Sequence, residues 1–166
     1  MSAYEDLCFQ ALNELGIASV RQYRIPQVKK RTYDFAFLLD NVGYIIEIDG
    51  EQHFKDVKHW KTTQLDQHIN DCMKQIVALL FGFRVIRIHY KDIKEVKKHI
   101  IDAISTCNHV YYSSNNYAWM NHVYLMNIQT QKGTIRKNYI KKYVKKRFVF
   151  DAMNLIPSML HIFMGM

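Results

Sequence analysis

The fold is decided by the stretch YDFAFLLDNVGYIIEIDGEQHF, residues 33–54, in which three acids stand among Phe, Ile and Leu side chains. Two apolar runs flank the turn residues 40–43, so the stretch predicts two antiparallel strands joined by a tight turn. The acids Asp34, Glu47 and Asp49 lie inside these strands. A buried carboxylate costs free energy unless a cation or hydrogen-bond donors compensate it. The three acids therefore need a compensating group.

The expected register of this hairpin brings the acids together. We centre the turn between Asn41 and Val42, which sets Asp34 directly opposite Asp49. Residues opposite each other, and residues two apart on one strand, share a face of the sheet. The three carboxylates then lie on one face, and the other face packs Phe35, Phe37, Ile46 and Ile48. Opposed Cβ atoms are about 4.5–5.5 Å apart, a distance at which like charges repel.

Two kinds of group could compensate the acids. Carboxylate oxygens that converge from rigid strands suit a divalent cation such as Mg²⁺ with its retained waters. Alternatively, the acids face solvent or pair with basic side chains of neighbouring strands, namely Arg24, Lys30, Arg84 or Arg87. Because Arg84 and Arg87 are three apart on a predicted strand, at most one of them can approach the acids.

A histidine follows the hairpin at a distance that could return it to the acids. Gly50 permits a sharp turn after Asp49, and His53 comes four residues after Asp49. An imidazole in this place could serve as a general base or could orient a water molecule. It could equally be a structural histidine.

The flanking sequence predicts an α/β fold in which helices pack against a mixed sheet. Apolar residues recur at helical intervals in three segments, and glycines 16 and 82 lie where the first two helices should end. The element order is αβββαβα, and residues 108–133 read as a loop with at most one strand near residues 118–128. The expected helices are residues 3–15, 65–81 and 92–104, and the expected strands are residues 19–28, 32–40, 43–49 and 83–90.

Length and charge predict one globular domain with a basic segment. The 166 residues are 49% hydrophobic, which is enough for one core. The formal net charge is +8, and eight of the 23 Lys and Arg residues lie in residues 129–150, which contain no acid. The remaining 15 basic residues are balanced by 15 acids. This segment therefore predicts binding to a polyanion such as nucleic acid, or to an anionic membrane surface.

Within this segment, residues 134–148 have the spacing of a basic amphipathic helix. Basic side chains on such a helix would neutralise phosphates, which gives binding that is independent of sequence and weakened by salt. The charge also fits anionic lipid or an acidic partner. The residues that we expect to contact nucleic acid are Arg136, Lys137, Lys141, Lys142, Lys145 and Lys146.

Cysteine spacing and hydropathy predict an intracellular protein, cytoplasmic or nuclear. The three cysteines are widely spaced and include no C-x-x-C pair, so neither a disulfide framework nor a zinc knuckle is expected. Glu5 and Asp6 precede any apolar run that could serve as a signal peptide, and the run LIPSMLHIFMGM, residues 155–166, is too short to span a bilayer.

Five motifs together resemble the PD-(D/E)xK nuclease superfamily, in particular the branch of very-short-patch-repair-like endonucleases and related phage and large-virus proteins. The resemblance covers residues 2–104. It implies a restriction-endonuclease-like catalytic core at residues 1–105 and a C-terminal extension at residues 106–166. The motifs are Ser2-x-x-Glu5, YDF at 33–35, IEIDGEQHF at 46–54, NDCMK at 70–74 and FRVIRIHY at 83–90.

The resemblance also implies roles for single residues. Asp34 matches the first metal-binding aspartate and Glu47 the acid of the second motif. Asp49 stands where the family usually has its lysine, so the motif departs from the family's pattern. In the repair-like branch, a histidine after the glycine and a glutamate on the first helix take part, and these match His53 and Glu5.

Three residues of the matched motifs, Lys74, Asp71 and Glu5, can be interpreted in more than one way. Lys74 could supply the missing cation from the second helix, since migrated lysines occur in the superfamily. Asp71 and Lys74 are spaced i, i+3, however, and could form an ordinary surface salt bridge. Glu5 completes a capping box with Ser2 and could have no further role.

The function that follows as an expectation is Mg²⁺-dependent hydrolysis of phosphodiester bonds by a metal-activated water, in which Mn²⁺ can replace Mg²⁺. Asp34, Glu47 and Asp49 would hold the metal, and His53 would take or orient the proton. The expected substrate is DNA, with RNA left open. Two alternatives remain: a nucleic-acid-binding protein that keeps the nuclease fold without catalysis, and a structural protein whose acids cluster by chance.

Overall fold

The structure is a computed structural model that describes residues 2–25, 31–54, 64–117 and 120. The elements of the core belong to one compact unit, Met1–Trp119. The predicted basic helix at 134–148, with its six expected nucleic-acid contacts, lies outside the described residues. The expected division of the chain at residue 105 stays a prediction.

A five-stranded sheet with helices on both faces confirms the α/β prediction. The strand order is β1-β2-β3-β4-β5, in which β1, β2 and β3 are antiparallel while β4 runs parallel to β3 and β5. Short 3₁₀ turns cover Glu51–His53, Tyr90–Glu95 and Asn115–Tyr117. The helices are α1 (Ala3–Glu14), α2 (Gln64–Leu80) and α3 (Val96–Thr106), and the strands are β1 (Ser19–Tyr23), β2 (Tyr33–Leu39), β3 (Val42–Asp49), β4 (Arg84–His89) and β5 (Val110–Tyr112).

The strand β5 lies in the stretch that we expected to be a loop. Val110 pairs with Val85 and Tyr112 pairs with Arg87, so β5 extends the sheet beside β4. Three residues are too few to show a hydrophobic period, and this is why the pattern indicated no strand there.

The β2–β3 hairpin turns at Asp40 and Asn41, one residue earlier than predicted. Both residues have positive φ, 49° and 62°, as a two-residue type I′ turn requires. The predicted register is therefore wrong. Phe35 pairs with Ile46, and the same register sets position 34 opposite Glu47 rather than Asp49. Because the partner changes by two residues, each side chain of β3 keeps its predicted face.

The apolar core lies between one face of the sheet and the helices α1 and α3. Phe35, Phe37 and Ile46 are buried in this cluster and Ile48 packs against it, as predicted. Full burial of a side chain of this size contributes about 1.5–3 kcal/mol to folding. The helices contribute Cys8, Ala11, Leu12, Val96, Ile100 and Ala103 to the same cluster. Alternation along β3 directs Glu47 and Asp49 to the opposite face, towards α2.

The helix ends agree with the sequence signals. The Ser2 side chain accepts a hydrogen bond from the Glu5 N–H and caps the start of α1. Gly16 and Gly82, with φ of +69° and +81°, follow α1 and α2 in the left-handed conformation that glycine adopts at low cost.

The described cysteines and helices can be compared with the predictions from composition. Burial raises the pKa of the Cys8 and Cys72 thiols to about 12, so both remain protonated and unreactive. In the part of the chain that the structure describes, no helix combines the length and the apolar character needed to cross a bilayer.

Candidate functional site

An aspartate, a glutamate and a lysine converge where β2 separates from β3. The Asp34 carboxylate accepts a hydrogen bond of 2.7 Å from the Ile48 N–H, just beyond the last pair of the hairpin ladder. Lys74 extends from α2 and places its Nζ 2.6 Å from Oε1 and 2.8 Å from Oε2 of Glu47. Three distant parts of the chain therefore assemble one charged cluster, which we call the DEK cluster (Asp34, Glu47 and Lys74).

Tyr33 holds Lys74 in this position. Its hydroxyl donates a hydrogen bond of 3.0 Å to the carbonyl of Lys74, and its ring centre lies 5.3 Å from the Lys74 Nζ. A cation near the face of an aromatic ring is attracted by the ring quadrupole. The lysine is thus fixed at both its backbone and its ammonium group.

The two acids of the DEK cluster lie in surroundings that disfavour their charged forms. Burial raises the pKa of Glu47 to about 8, against the opposing effect of Lys74. Burial also raises the pKa of Asp34, and the Ile48 N–H and Lys74 only partly offset it. The charge of Asp34 raises the pKa of Glu47 further, and the charges of Glu5 and Asp49 raise the pKa of Asp34. One lysine does not fully compensate the buried Glu47 and the partly buried Asp34, so this site would gain from a second cation.

Glu5 approaches the DEK cluster from α1. Its charge raises the pKa of Asp34, which places the two carboxylates within electrostatic reach of each other. Glu5 Oε1 accepts a hydrogen bond of 3.2 Å from the Ser2 hydroxyl, and Oε2 accepts one of 3.2 Å from Gln22 Nε2. Glu5 therefore belongs to a capping box and lies beside the acidic cluster, and the two interpretations of this residue are compatible.

Asp49 belongs to a second cluster, which we call the buried cluster because Asp49, Asp71, Arg87 and Tyr117 are buried in it. Arg87 Nε donates a hydrogen bond of 2.8 Å to Asp49 Oδ2, and Arg87 Nη2 contacts Oδ1, so the pair is bidentate. The Tyr117 hydroxyl donates a further bond of 2.8 Å to Oδ2. Burial opposes the charge on Asp49, but Arg87 outweighs it and the pKa of Asp49 is lowered. One of the cations considered in the sequence analysis, Arg87, thus compensates this acid.

His53 connects to the same cluster through Asp71. The His53 Nδ1 lies 2.5 Å from Asp71 Oδ2 and 3.7 Å from Asp49 Oδ1, and Asp71 Oδ1 lies 3.7 Å from Arg87 Nη2. Although burial lowers it, the pKa of His53 is raised by the hydrogen bond to Asp71 and by both acids. Asp71 and Lys74 do not form the surface salt bridge that their spacing allowed. Lys74 pairs with Glu47 instead, Asp71 pairs with His53, and the side chains of Asp71 and Lys74 are both largely buried.

Asp49, His53 and Asp71 could hold a metal ion, since each offers one ligand atom and these atoms lie within 4.8 Å of one another. Arg87 already occupies part of that space, however, and its charge is compensated by Asp49 and Asp71. A divalent ion there would have to overcome repulsion from the buried guanidinium. The oxygen donors of Asp34 and Glu47 are the hard ligands that Mg²⁺ prefers, and their charge is less compensated.

The structure therefore divides the six predicted catalytic residues into two groups. Asp34, Glu47 and Lys74 form the DEK cluster with Glu5 beside it, whereas Asp49 and His53 form the buried cluster with Arg87, Asp71 and Tyr117. The role of Asp71 was missed because its partners come from β4 and from the 3₁₀ turn Glu51–His53, and no local spacing reveals these contacts. Tyr117 and Gln22 lie in stretches without any motif, so the sequence carried no signal for them.

Comparisons with known proteins identify no family for this chain. No protein-family model matches it, and no curated protein matches it. Among solved structures, SfsA of Pyrococcus furiosus in complex with Ca²⁺ matches at 15% sequence identity and a TM-score of 0.33. The match covers 66% of this chain and 53%, about half, of SfsA. A TM-score this low does not establish a shared fold, so the chemistry of this site rests on its own residues.

Proposed function

We propose that the chain is a metal-dependent endonuclease that hydrolyses phosphodiester bonds in DNA, with Mg²⁺ as the natural metal and Mn²⁺ as a substitute. The observation that carries the proposal is the convergence of Asp34, Glu47 and Lys74 at one end of the sheet. These are the residue types of the PD-(D/E)xK motifs, and Lys74 reaches the position from α2 although the motif itself reads Glu-Ile-Asp. A restriction-endonuclease-like arrangement of the core belongs to the same proposal.

Asp34 and Glu47 would hold the metal by their carboxylate oxygens. A bound divalent cation supplies an activated water and neutralises charge on the scissile phosphate. Glu47 binds a cation only in its ionised form, so its raised pKa makes metal binding compete with a proton. Lys74 is placed to donate hydrogen bonds to a phosphate oxygen, because its ammonium already points into the site. Phosphoryl transfer needs positioned charge more than covalent help from the protein.

The buried cluster has a supporting role in this proposal. Asp49 lies two residues after Glu47 on β3, and its bidentate bond to Arg87 fixes that end of β3 against β4. His53 is held by Asp71 and favours its protonated form. Compared with a free imidazole, it is therefore shifted towards the form that donates a proton or attracts a phosphate.

The basic segment would bring the nucleic acid to the core. Arg136, Lys137, Lys141, Lys142, Lys145 and Lys146 are proposed to contact phosphates along the backbone, which adds affinity without sequence preference. Duplex and branched DNA are both candidate substrates. The chemistry of the DEK cluster does not depend on the choice.

The proposal is tested by incubating the protein with supercoiled plasmid and with a branched DNA, each in Mg²⁺, Mn²⁺ or EDTA. The variants are Asp34→Ala at the site and Asp40→Asn as control, because Asp40 is an exposed acid of the same hairpin. We expect cleavage by wild type and Asp40→Asn in either metal, and none with EDTA or Asp34→Ala. Binding of DNA without cleavage in either metal would contradict the proposal and favour a non-catalytic nucleic-acid-binding protein.

A further inference from the structure

The chain that connects β1 to β2 is basic and adjoins the DEK cluster. Residues 15–33 contain five Lys and Arg residues and no acid. The connection lies at the same end of the sheet as Asp34, because Asp34 is the second residue of β2 and β1 runs antiparallel to β2. Arg24 and Arg31 flank residues 26–30 of this connection, which lie outside the described residues.

Both of these arginines bond to neutral groups. Arg24 Nε donates a hydrogen bond of 3.2 Å to the Thr32 hydroxyl. Arg31 Nη1 donates one of 2.8 Å to Oδ1 of Asn70 and one of 3.3 Å to the Asn70 carbonyl. Within the described ranges, the ion pairs of the other basic residues include neither arginine. The charges of Arg24 and Arg31 therefore remain available to an anion.

Arg31 lies next to Lys74 along α2. Its partner Asn70 precedes Lys74 by four residues, and residues with this spacing share one face of a helix, with Cβ atoms about 5–6 Å apart. Tyr33, two residues after Arg31, donates its hydroxyl bond to the carbonyl of Lys74. The start of β2 thus follows α2, with Arg31 at Asn70 and Tyr33 at Lys74. Two cations, Arg31 and Lys74, succeed each other at the site.

The two cations differ in what they are free to bind. Lys74 is paired with Glu47 inside the DEK cluster, whereas Arg31 is anchored by the neutral Asn70. A nucleic-acid strand whose scissile phosphate lies at the DEK cluster carries its next phosphate beside that site. A guanidinium group is planar and matches the oxygens of a phosphate with two parallel hydrogen bonds. Arg31 has both the charge and the place for this second phosphate.

We propose that Arg31 binds the phosphate next to the scissile phosphate, and that Arg24 contacts the same strand of nucleic acid further along the β1–β2 connection. The inference rests on the proposed function of the DEK cluster. It gives the core a nucleic-acid contact of its own, separate from the basic segment at residues 129–150. The contact with Arg31 orients the backbone across the site, whereas the basic segment adds affinity along the strand.

Three variants separate a phosphate contact from a structural link between β2 and α2. Arg31→Gln removes the charge, and Arg31→Lys keeps the charge but not the planar group. The matched control is Arg84→Gln. Arg84 is also an arginine with a neutral partner, because its Nη1 donates a hydrogen bond of 3.0 Å to the Tyr44 hydroxyl. It begins β4, at the end of the sheet opposite the DEK cluster.

The experiment is single-turnover cleavage of DNA that carries one neutral methylphosphonate, moved one backbone position at a time away from the cleaved bond. We expect the wild type to lose about 10-fold in rate when the phosphate next to the scissile one is neutral, the usual effect of one hydrogen bond to a charged group. Arg31→Gln should be about 10-fold slower on unmodified DNA and should lose nothing further from that methylphosphonate. Arg31→Lys should be intermediate, and Arg84→Gln should behave as wild type.

Two further readouts exclude an indirect effect. The Mn²⁺ affinity and the thermal midpoint of Arg31→Gln should equal those of the wild type, because Arg31 touches neither Asp34 nor Glu47 in the proposed role. In EDTA, the plot of log DNA affinity against log salt should be shallower by about 0.9 for this one lost phosphate contact. A role limited to linking β2 to α2 would lower the thermal midpoint and leave the salt slope unchanged.

Three results would overturn the inference. A wild-type cleavage rate in Arg31→Gln would show that Arg31 does not position the substrate, and the proposed nuclease function would stand. The same would follow if Arg31→Gln and wild type lost equal rates from every methylphosphonate. Absence of cleavage by the wild type on all DNA substrates, in Mg²⁺ and in Mn²⁺, would instead remove the proposed function and this inference together.

Discussion

The Nζ atom of Lys74 lies 2.6 Å from Oε1 of Glu47, although the two residues are 27 positions apart in the chain. This contact joins the helix α2 to the strand β3 at the end of the sheet where Asp34 caps the Ile48 N–H. In the proposed nuclease function, Lys74 takes the place of the lysine that the motif Glu-Ile-Asp lacks. The proposed nuclease function depends on this arrangement more than on any single motif.

Replacement of Lys74 should therefore remove activity but leave the cation site. We expect Lys74→Met to reduce the cleavage rate about 10²–10³-fold, the usual loss when one donor to a transition-state oxyanion is removed. Mn²⁺ affinity should be equal or higher, because a competing cation has gone. Single-turnover cleavage and calorimetry measure the two effects. Lys98→Met, a change of an exposed lysine on α3, is the control, and wild-type cleavage by Lys74→Met would contradict the assignment.

The pH dependence of stability should reveal the buried glutamate. The pKa of Glu47 is raised from 4.5 to about 8, so the metal-free folded state holds a proton that the unfolded chain releases. The contribution of this proton to the free energy of unfolding is complete below pH 4.5, decreases between pH 4.5 and about 8, and is lost at higher pH. In EDTA, the thermal midpoint of the wild type should fall relative to Glu47→Gln across this window.

Added Mg²⁺ should reverse this loss, because the ion binds the ionised carboxylate of the folded state. Differential scanning fluorimetry between pH 5 and 9, with and without Mg²⁺, measures both effects. Parallel pH curves for wild type and Glu47→Gln would contradict the burial-driven shift of the Glu47 pKa.

The buried pair of Asp49 and Arg87 should matter for folding. Arg87→Met leaves Asp49 as an uncompensated buried charge, and loss of one partner of a buried pair typically costs about 3–5 kcal/mol. Urea denaturation measures the free energy of unfolding. The matched control is Lys98→Met, which breaks an exposed pair with Glu95 at 3.8 Å and should cost about 0–1 kcal/mol. Equal costs for the two variants would contradict the structural role of Arg87.

The contribution of the basic segment remains a prediction that salt titration can test. A variant with Lys141, Lys142, Lys145 and Lys146 changed to alanine should bind duplex DNA more weakly. Its plot of log affinity against log salt should be shallower by about 0.9 for each lysine that contacts a phosphate. The affinity of the same variant for Mn²⁺ is the internal control, and it should equal that of the wild type. An unchanged salt slope would exclude this segment from the interface.

Much of the fold followed from periodicity, because long helices and alternating strands bury continuous apolar faces. The acids kept their predicted face even though the turn lies one residue earlier, since the partner of each residue changed by two. A role for Lys74 in the site was predicted only as an alternative, and its pairing with Glu47 was not predicted. It depends on how α2 lies against the sheet, and helical spacing does not determine that orientation.

The contacts that escaped prediction are those made between distant elements. Asp71 was expected at the surface, yet it is buried between His53 and Arg87. Gln22 adopts a left-handed conformation that neither its residue type nor its neighbours indicate. Such positions conflict with local preference, and conflicts of this kind are expected at functional sites.

The proposed nuclease function requires the cation to bind at Asp34 and Glu47 rather than at Asp49, His53 and Asp71. The most direct measurement is a calorimetric Mn²⁺ titration of wild type, Asp34→Asn and His53→Gln at pH 8.5, where Glu47 is largely ionised in the wild type. We expect Asp34→Asn to lose at least about 10-fold in affinity, in line with losses at metal sites, while His53→Gln binds as wild type does. The reverse pattern, with affinity lost in His53→Gln and kept in Asp34→Asn, would rule out the proposed cation site and place the metal in the buried cluster.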